Sequence, residues 1–136
     1  MAKVSFYLFE KSPERQVDST CRLCRKIFRQ ADQRVWLYCH DKTLQQELDD
    51  KLWTFDVESF IPHGIHQIDS RICISEQLPD HSDWIIFNFN HQIIENFESF
   101  NQVIEIIENN EIAKQLGREK FKQYRQLGIQ AHTYKL

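Results

Sequence analysis

The chain reads as one α/β domain with a mainly parallel sheet. Two observations lead there: β-rich apolar runs alternate with segments of helical period, and two of the runs are almost continuously apolar. At 136 residues with 41% hydrophobic content, residues 1–136 have the size of a single domain with a proper core. No low-complexity tract occurs, so order is expected throughout except over the last few residues.

The first element is VSFYLF, residues 4–9, a β-rich apolar run. Polar EKSPERQVDST follows with Pro13 and a Ser19/Thr20 start signal, and a helix is expected from about Asp18 to Gln30. Cys21, Leu23, Cys24, Ile27, Phe28 and Ala31 fall on or near its buried face. VWLYC, residues 35–39, is apolar on both alternating faces, as in a strand covered on two sides. Leu44, Leu48, Leu52 and Phe55 then repeat at helical spacing. From Asp56 to Asp83 the chain is polar and turn-rich, with one short strand at Arg71–Ser75. WIIFNF, residues 84–89, reads as a central strand, Ile93–Phe100 as a short helix, and QVIEIIE as an edge or terminal strand or, alternatively, as the continuation of a helix. The last helix runs from Glu111 to about Leu127, where Gly128 stops it.

Little in the chain points to catalysis. Cys21 and Cys24 stand three apart, but a zinc site needs two further ligands, and Cys39 with His40 would point to opposite faces of a strand. A redox pair would open a helix directly after a strand, whereas a polar stretch intervenes here, so ordinary helix packing is expected for the two thiols. His40, His63, His66, His81, His91 and His132 are scattered and form no hydrolase pattern. The first strand-to-helix connection has no glycine, which removes the close backbone approach that phosphate binding requires. Neither metal nor cofactor is expected, and the fold outline points to contact with other proteins.

Charge is unevenly placed. Over residues 111–136, six Lys and Arg face two acids, about +4, while the preceding part carries about −7 within a net charge of −3. On a helix Lys114, Arg118, Phe121, Lys122 and Arg125 recur at spacings of three and four, which sets an aromatic ring in a cationic stripe suited to a short acidic peptide with an apolar end. The same stripe is also what a solvated amphipathic helix would carry. A general DNA-coating protein would be strongly basic, so direct nucleic-acid binding through this helix is the secondary reading. Trp53, Phe55, Phe60 and Pro62 form a second cluster behind the second helix, either sealing the core or anchoring a partner subunit. No apolar run approaches the roughly 18 residues of a membrane span, and the start reads as a strand instead of a signal peptide, so a cytoplasmic protein without membrane contact is expected.

Over nearly its whole length the chain resembles the chi subunit of the bacterial DNA polymerase III holoenzyme. The matching stretches are the opening FYLFE, the block LDDKLWTFDVESFIPH, the strand DWIIFNF and the closing KQLGREKFKQYRQLG, of which the block and the last helix are the specific ones. The resemblance implies a Rossmann-like fold, no catalytic activity, and a place in the clamp loader with only indirect contact to DNA. It implies two partners: the psi subunit, and the acidic C-terminal tail of single-stranded DNA-binding protein, which ends in an apolar Pro-Phe pair with a free carboxylate. Carried onto this sequence, the tail site comprises Lys114, Arg118, Phe121 and Arg125 on the helix, Ile107 before it and Thr133 after it. Phe60 is the carried-over psi anchor, with Trp53 and Pro62 as its neighbours. Cys21 and Cys24 are not part of the family pattern.

Overall fold

The computed structural model describes residues 3–8, 16–30, 33–54, 63–66, 68, 71–80, 83–94, 96 and 100–135. Seven strands form one sheet: β1 (Lys3–Leu8), β2 (Arg34–Tyr38), β3 (His63–Ile65), β4 (Ile72–Ser75), β5 (Trp84–Asn88), β6 (Gln102–Ile107) and β7 (His132–Lys135). Helices α1 (Gln16–Gln30), α2 (Lys42–Thr54) and α3 (Glu111–Gln126) lie between them in sequence. The strand order is β3-β4-β2-β5-β6-β1-β7, and the described pairings are all parallel.

Side-chain alternation explains how both faces are covered. In β2, Val35 and Leu37 join the cluster that holds Val17, Leu23 and Cys24 of α1 and Leu44 and Leu48 of α2, while Trp36 between them joins the opposite cluster with Tyr124 of α3. β5 is buried at every position for the same reason. Helices α1 and α2 therefore cover one face, and α3 covers the other beside β6 and β1. Cys21 and Cys24 are buried and unbonded. Burial pushes the Cys21 thiol up to about 12 and that of Cys24 well above its ordinary value.

Four expectations are corrected. QVIEIIE is a strand, but β6 lies between β5 and β1 in the sheet interior instead of at an edge. Of Ile93–Phe100, the described residues Ile93, Ile94, Asn96 and Phe100 are not helical. There the backbone is satisfied by side chains: the Ile94 N–H donates to Tyr124 Oη at 3.3 Å, and Gln92 O accepts from Asn88 Nδ2 at 2.8 Å. β3 had no signal in the polar segment, because a strand of three residues is too short to show alternation. The chain end, expected to be disordered, pairs as β7 with β1 over His132–Lys135, and Tyr134 stacks on Tyr7 at 5.0 Å between ring centroids.

Candidate functional site

The site is built on α3. Asn110 caps its start by accepting from the Ala113 N–H at 2.8 Å, and Glu111 in the first turn suits the positive end of the helix dipole. The end closes with paired bonds: the Ile129 N–H donates to Tyr124 O at 3.1 Å and the Gly128 N–H to Arg125 O at 3.0 Å. Gly128 takes φ +87° to make that turn, a conformation that costs a residue with a Cβ. The turn sends the chain back toward β1, where β7 forms.

Between α3 and the β6/β1/β7 edge lies a cavity of about 480 Å³. Phe6, Leu8 and Ile107 supply apolar wall from the strands, Thr133 contributes from β7, and Glu111, Lys114, Gly117, Arg118 and Phe121 line it from the helix. Ile107, Lys114, Arg118, Phe121 and Thr133, set apart in the sequence, thus meet around one space. Phe121 leans on Phe6 with ring centroids 5.6 Å apart. A neighbouring cavity of about 450 Å³ is lined by Phe121, Arg125, Gly128, Ile129 and Gln130. Phe121 is shared, so Arg125 lies on the far side of that ring from Arg118 and Lys114.

Arg118 and Arg125 are exposed and Lys114 is half-buried. Arg118 Nη2 donates to the neutral Gln115 Oε1 at 3.0 Å, and none of Lys114, Arg118, Lys122 and Arg125 forms an ion pair among the described residues. Their charge is directed to solvent. Lys122, part of the expected stripe, lines neither cavity. Of the aromatic corner, Trp53 falls within α2, and Phe60 and Pro62 lie outside the described residues.

Sequence reasoning passed over Phe6, Leu8, Glu111 and Gly117. Gly117 carried a usable signal, since glycine inside a helix costs about 1 kcal/mol relative to alanine and calls for a packing reason. The reason is close approach: a Cβ there would stand 2.4 Å from Ile107 Cδ1 and 3.0 Å from Cγ1.

Lys120, counted with the basic residues of this segment, is turned the other way. Its Nζ donates to Glu105 Oε1 at 2.8 Å and to Asn90 O at 2.5 Å, and both side chains of the ion pair are buried. Tyr124 Oη and Asn88 Nδ2 each donate to Glu105 Oε2 at 2.8 Å. Burial pushes the Glu105 carboxyl above its usual range against the pull of the Lys120 ammonium, and burial with the adjacent carboxylate pushes the Tyr124 phenol up.

Comparison with known proteins identifies the family. The family described as "DNA polymerase III chi subunit, HolC" matches residues 1–132. The chain is 31% identical to the DNA polymerase III subunit chi of Pseudomonas aeruginosa, over 100% of this chain and 98% of the relative. It is 26% identical to that of Haemophilus influenzae and 25% identical to that of Escherichia coli, each over 98% of this chain and 97% of the relative. The C-terminal domain of Dbp5 from S. cerevisiae superposes with a TM-score of 0.66 at 12% identity, covering 98% of this chain and 90% of that one, a likeness of fold alone. The chain belongs to the family of DNA polymerase III chi subunits, accessory components of the replicative polymerase.

Proposed function

We propose that the protein is a non-catalytic adaptor, cytoplasmic, that joins the psi subunit of the clamp loader to the acidic C-terminal tail of single-stranded DNA-binding protein. One observation carries the tail half of this reading: an apolar cavity of about 480 Å³ rimmed by Lys114 and Arg118 and walled by Phe121. That combination suits a chain end with an aromatic side chain and a free carboxylate, because the ring is removed from water while the carboxylate meets cations with no ion-pair partner among the described residues.

Calorimetry with a synthetic acidic peptide ending in Pro-Phe tests it. Amidating the terminal carboxylate, or replacing the last Phe by Ala, should each weaken binding strongly. A scrambled acidic peptide that bound equally well would reduce the site to charge attraction. For psi, the proposed anchor is Phe60 with Trp53 and Pro62. Phe60→Ala should cost about 2 kcal/mol or more in psi binding while leaving tail affinity and melting temperature unchanged. A lowered melting temperature with psi binding retained would assign the aromatic corner to the core.

A further inference from the structure

We infer that the cavity at the carboxyl ends of β5 and β6 is a separate docking surface, which takes a large aliphatic side chain flanked by Arg or Lys from a partner protein. It lies on a different stripe of α3 from the tail site and calls for a partner of opposite charge, so it stands independently of the tail reading.

The cavity measures about 220 Å³. Phe89 after β5, Ile107 at the end of β6, and Ile112, Ala113 and Leu116 of α3 supply its apolar wall, and the buried pair Lys120 and Glu105 closes it from within. Ala113, Leu116 and Lys120 recur at helical spacing beside the stripe of Lys114, Arg118 and Phe121, and Gly117 and Ile107 line both cavities.

The crevice outside the carboxyl ends of parallel strands is where α/β folds hold nucleotides. Size and charge turn this one to another use. Its volume falls below the roughly 300 Å³ at which small-molecule pockets begin, so it admits a single side chain. Its free charge is negative. The Lys120 ammonium is taken up by Glu105 at 2.8 Å, whereas Glu108 at the rim and Glu111 beside it form no ion pair among the described residues. Two carboxylates outweigh the roughly half positive charge of the helix start, so a phosphate is repelled there and a guanidinium or ammonium is attracted.

Ile112 carries the apolar half of the surface. It is 85% exposed, more than Ile68, Leu127 or Tyr134, the other large apolar side chains that face water among the described residues. It has no duty to the helix, because Asn110 supplies the cap, Glu111 supplies the first-turn charge, and a β-branched side chain adds nothing to propensity. At the lip of a cavity walled by half-buried Leu116 and Phe89, it completes an apolar ring in which an incoming aliphatic side chain is removed from water.

Three heptapeptides, acetylated and amidated so that they offer the tail site no carboxylate, test the surface by NMR on isotope-labelled protein. The first is Gly-Ser-Arg-Leu-Arg-Ser-Gly, the second has Ala in place of Leu, and the third has Glu in place of both Arg. At millimolar concentration the first should shift the amide signals of Glu108, Ile112 and Ala113, and the other two should bind about tenfold more weakly or worse. Ile112→Ser should weaken the first peptide about tenfold and Glu108→Gln about threefold, with melting temperature and affinity for an acidic Pro-Phe peptide unchanged. Silence at those three amides, equal binding of the Leu and Ala peptides, or full binding by Ile112→Ser would overturn the surface. So would shifts at the same amides on concentrating the protein alone, which would give this face to a second copy of the chain. Failure of the tail reading shows elsewhere, in an acidic peptide whose affinity ignores Arg118→Ala.

Discussion

The two faces of α3 put the same kind of side chain to opposite uses. Arg118 and Lys120 are two residues apart, yet Arg118 is exposed on the rim of a cavity and donates to a neutral glutamine, and Lys120 is buried on Glu105. Lys114, Arg118 and Arg125 have no ion pair among the described residues, whereas the charge of Lys120 is spent within the protein on a carboxylate that also accepts from Tyr124 and Asn88. The buried face fixes the helix against the sheet and the exposed face is thereby held in one orientation. A charge count of the segment consequently overstates its basic surface, because Lys120 contributes nothing to it.

If this division of labour is right, mutations on the buried face should affect folding and those on the exposed face binding. The largest effect is expected for Glu105→Ala, which leaves the Lys120 ammonium buried without its counter-charge and should cost about 3–5 kcal/mol in urea unfolding. A loss below about 1 kcal/mol would mean that water reaches the pair in solution.

Lys120→Met should also destabilise, by an amount that depends on pH. Burial raises the Glu105 carboxyl, and without the Lys120 ammonium the opposing pull is gone. A group raised in the fold contributes its stability below the unfolded value and loses it as pH rises through the folded one. The cost of Lys120→Met should therefore be smallest near pH 5 and grow toward pH 8 in thermal melts. A cost independent of pH would show that Glu105 keeps one protonation state across that range.

On the exposed face, Arg118→Ala and Arg125→Ala should each weaken a tail peptide by roughly 1–3 kcal/mol and change stability by less than about 0.5 kcal/mol. Unchanged peptide affinity in the double variant would remove the site from this face. The smallest effect is expected where the two faces meet. Gly117→Ala forces Ile107 to move, since the new Cβ would lie 2.4 Å from its Cδ1. The gain in helix propensity, about 1 kcal/mol, should nearly offset an off-rotamer cost of similar size, leaving stability little changed. Peptide affinity should still fall by about 1 kcal/mol, because the displaced Ile107 alters the cavity wall. Calorimetry beside a melting curve separates the two quantities.

The alternation of strands and helices was legible in the sequence because strands buried on both faces must be apolar at successive positions, as 35–39 and 84–87 are. The start of α3 and its stop at Gly128 were legible for equally local reasons: helical spacing and a glycine where φ must be positive. The spacing of Lys114, Arg118, Phe121 and Arg125 also fixed which residues share a helix face. What local pattern could not give was the other half of the site. Phe6 and Leu8 enter because β1 lies beside β6 and β7, a pairing across more than ninety residues to one neighbour and more than a hundred to the other. Nothing in a period of two or 3.6 encodes such a neighbour. Tertiary structure alone likewise decided that Lys120 is buried, since the carboxylate it answers comes from a different element, and that the chain end is a strand, since His132–Lys135 gains order from the β1 ladder and from Tyr7. Sequence determined the elements and one face of the helix; the packing of distant strands decided which charges remain for a partner and where the cavity lies.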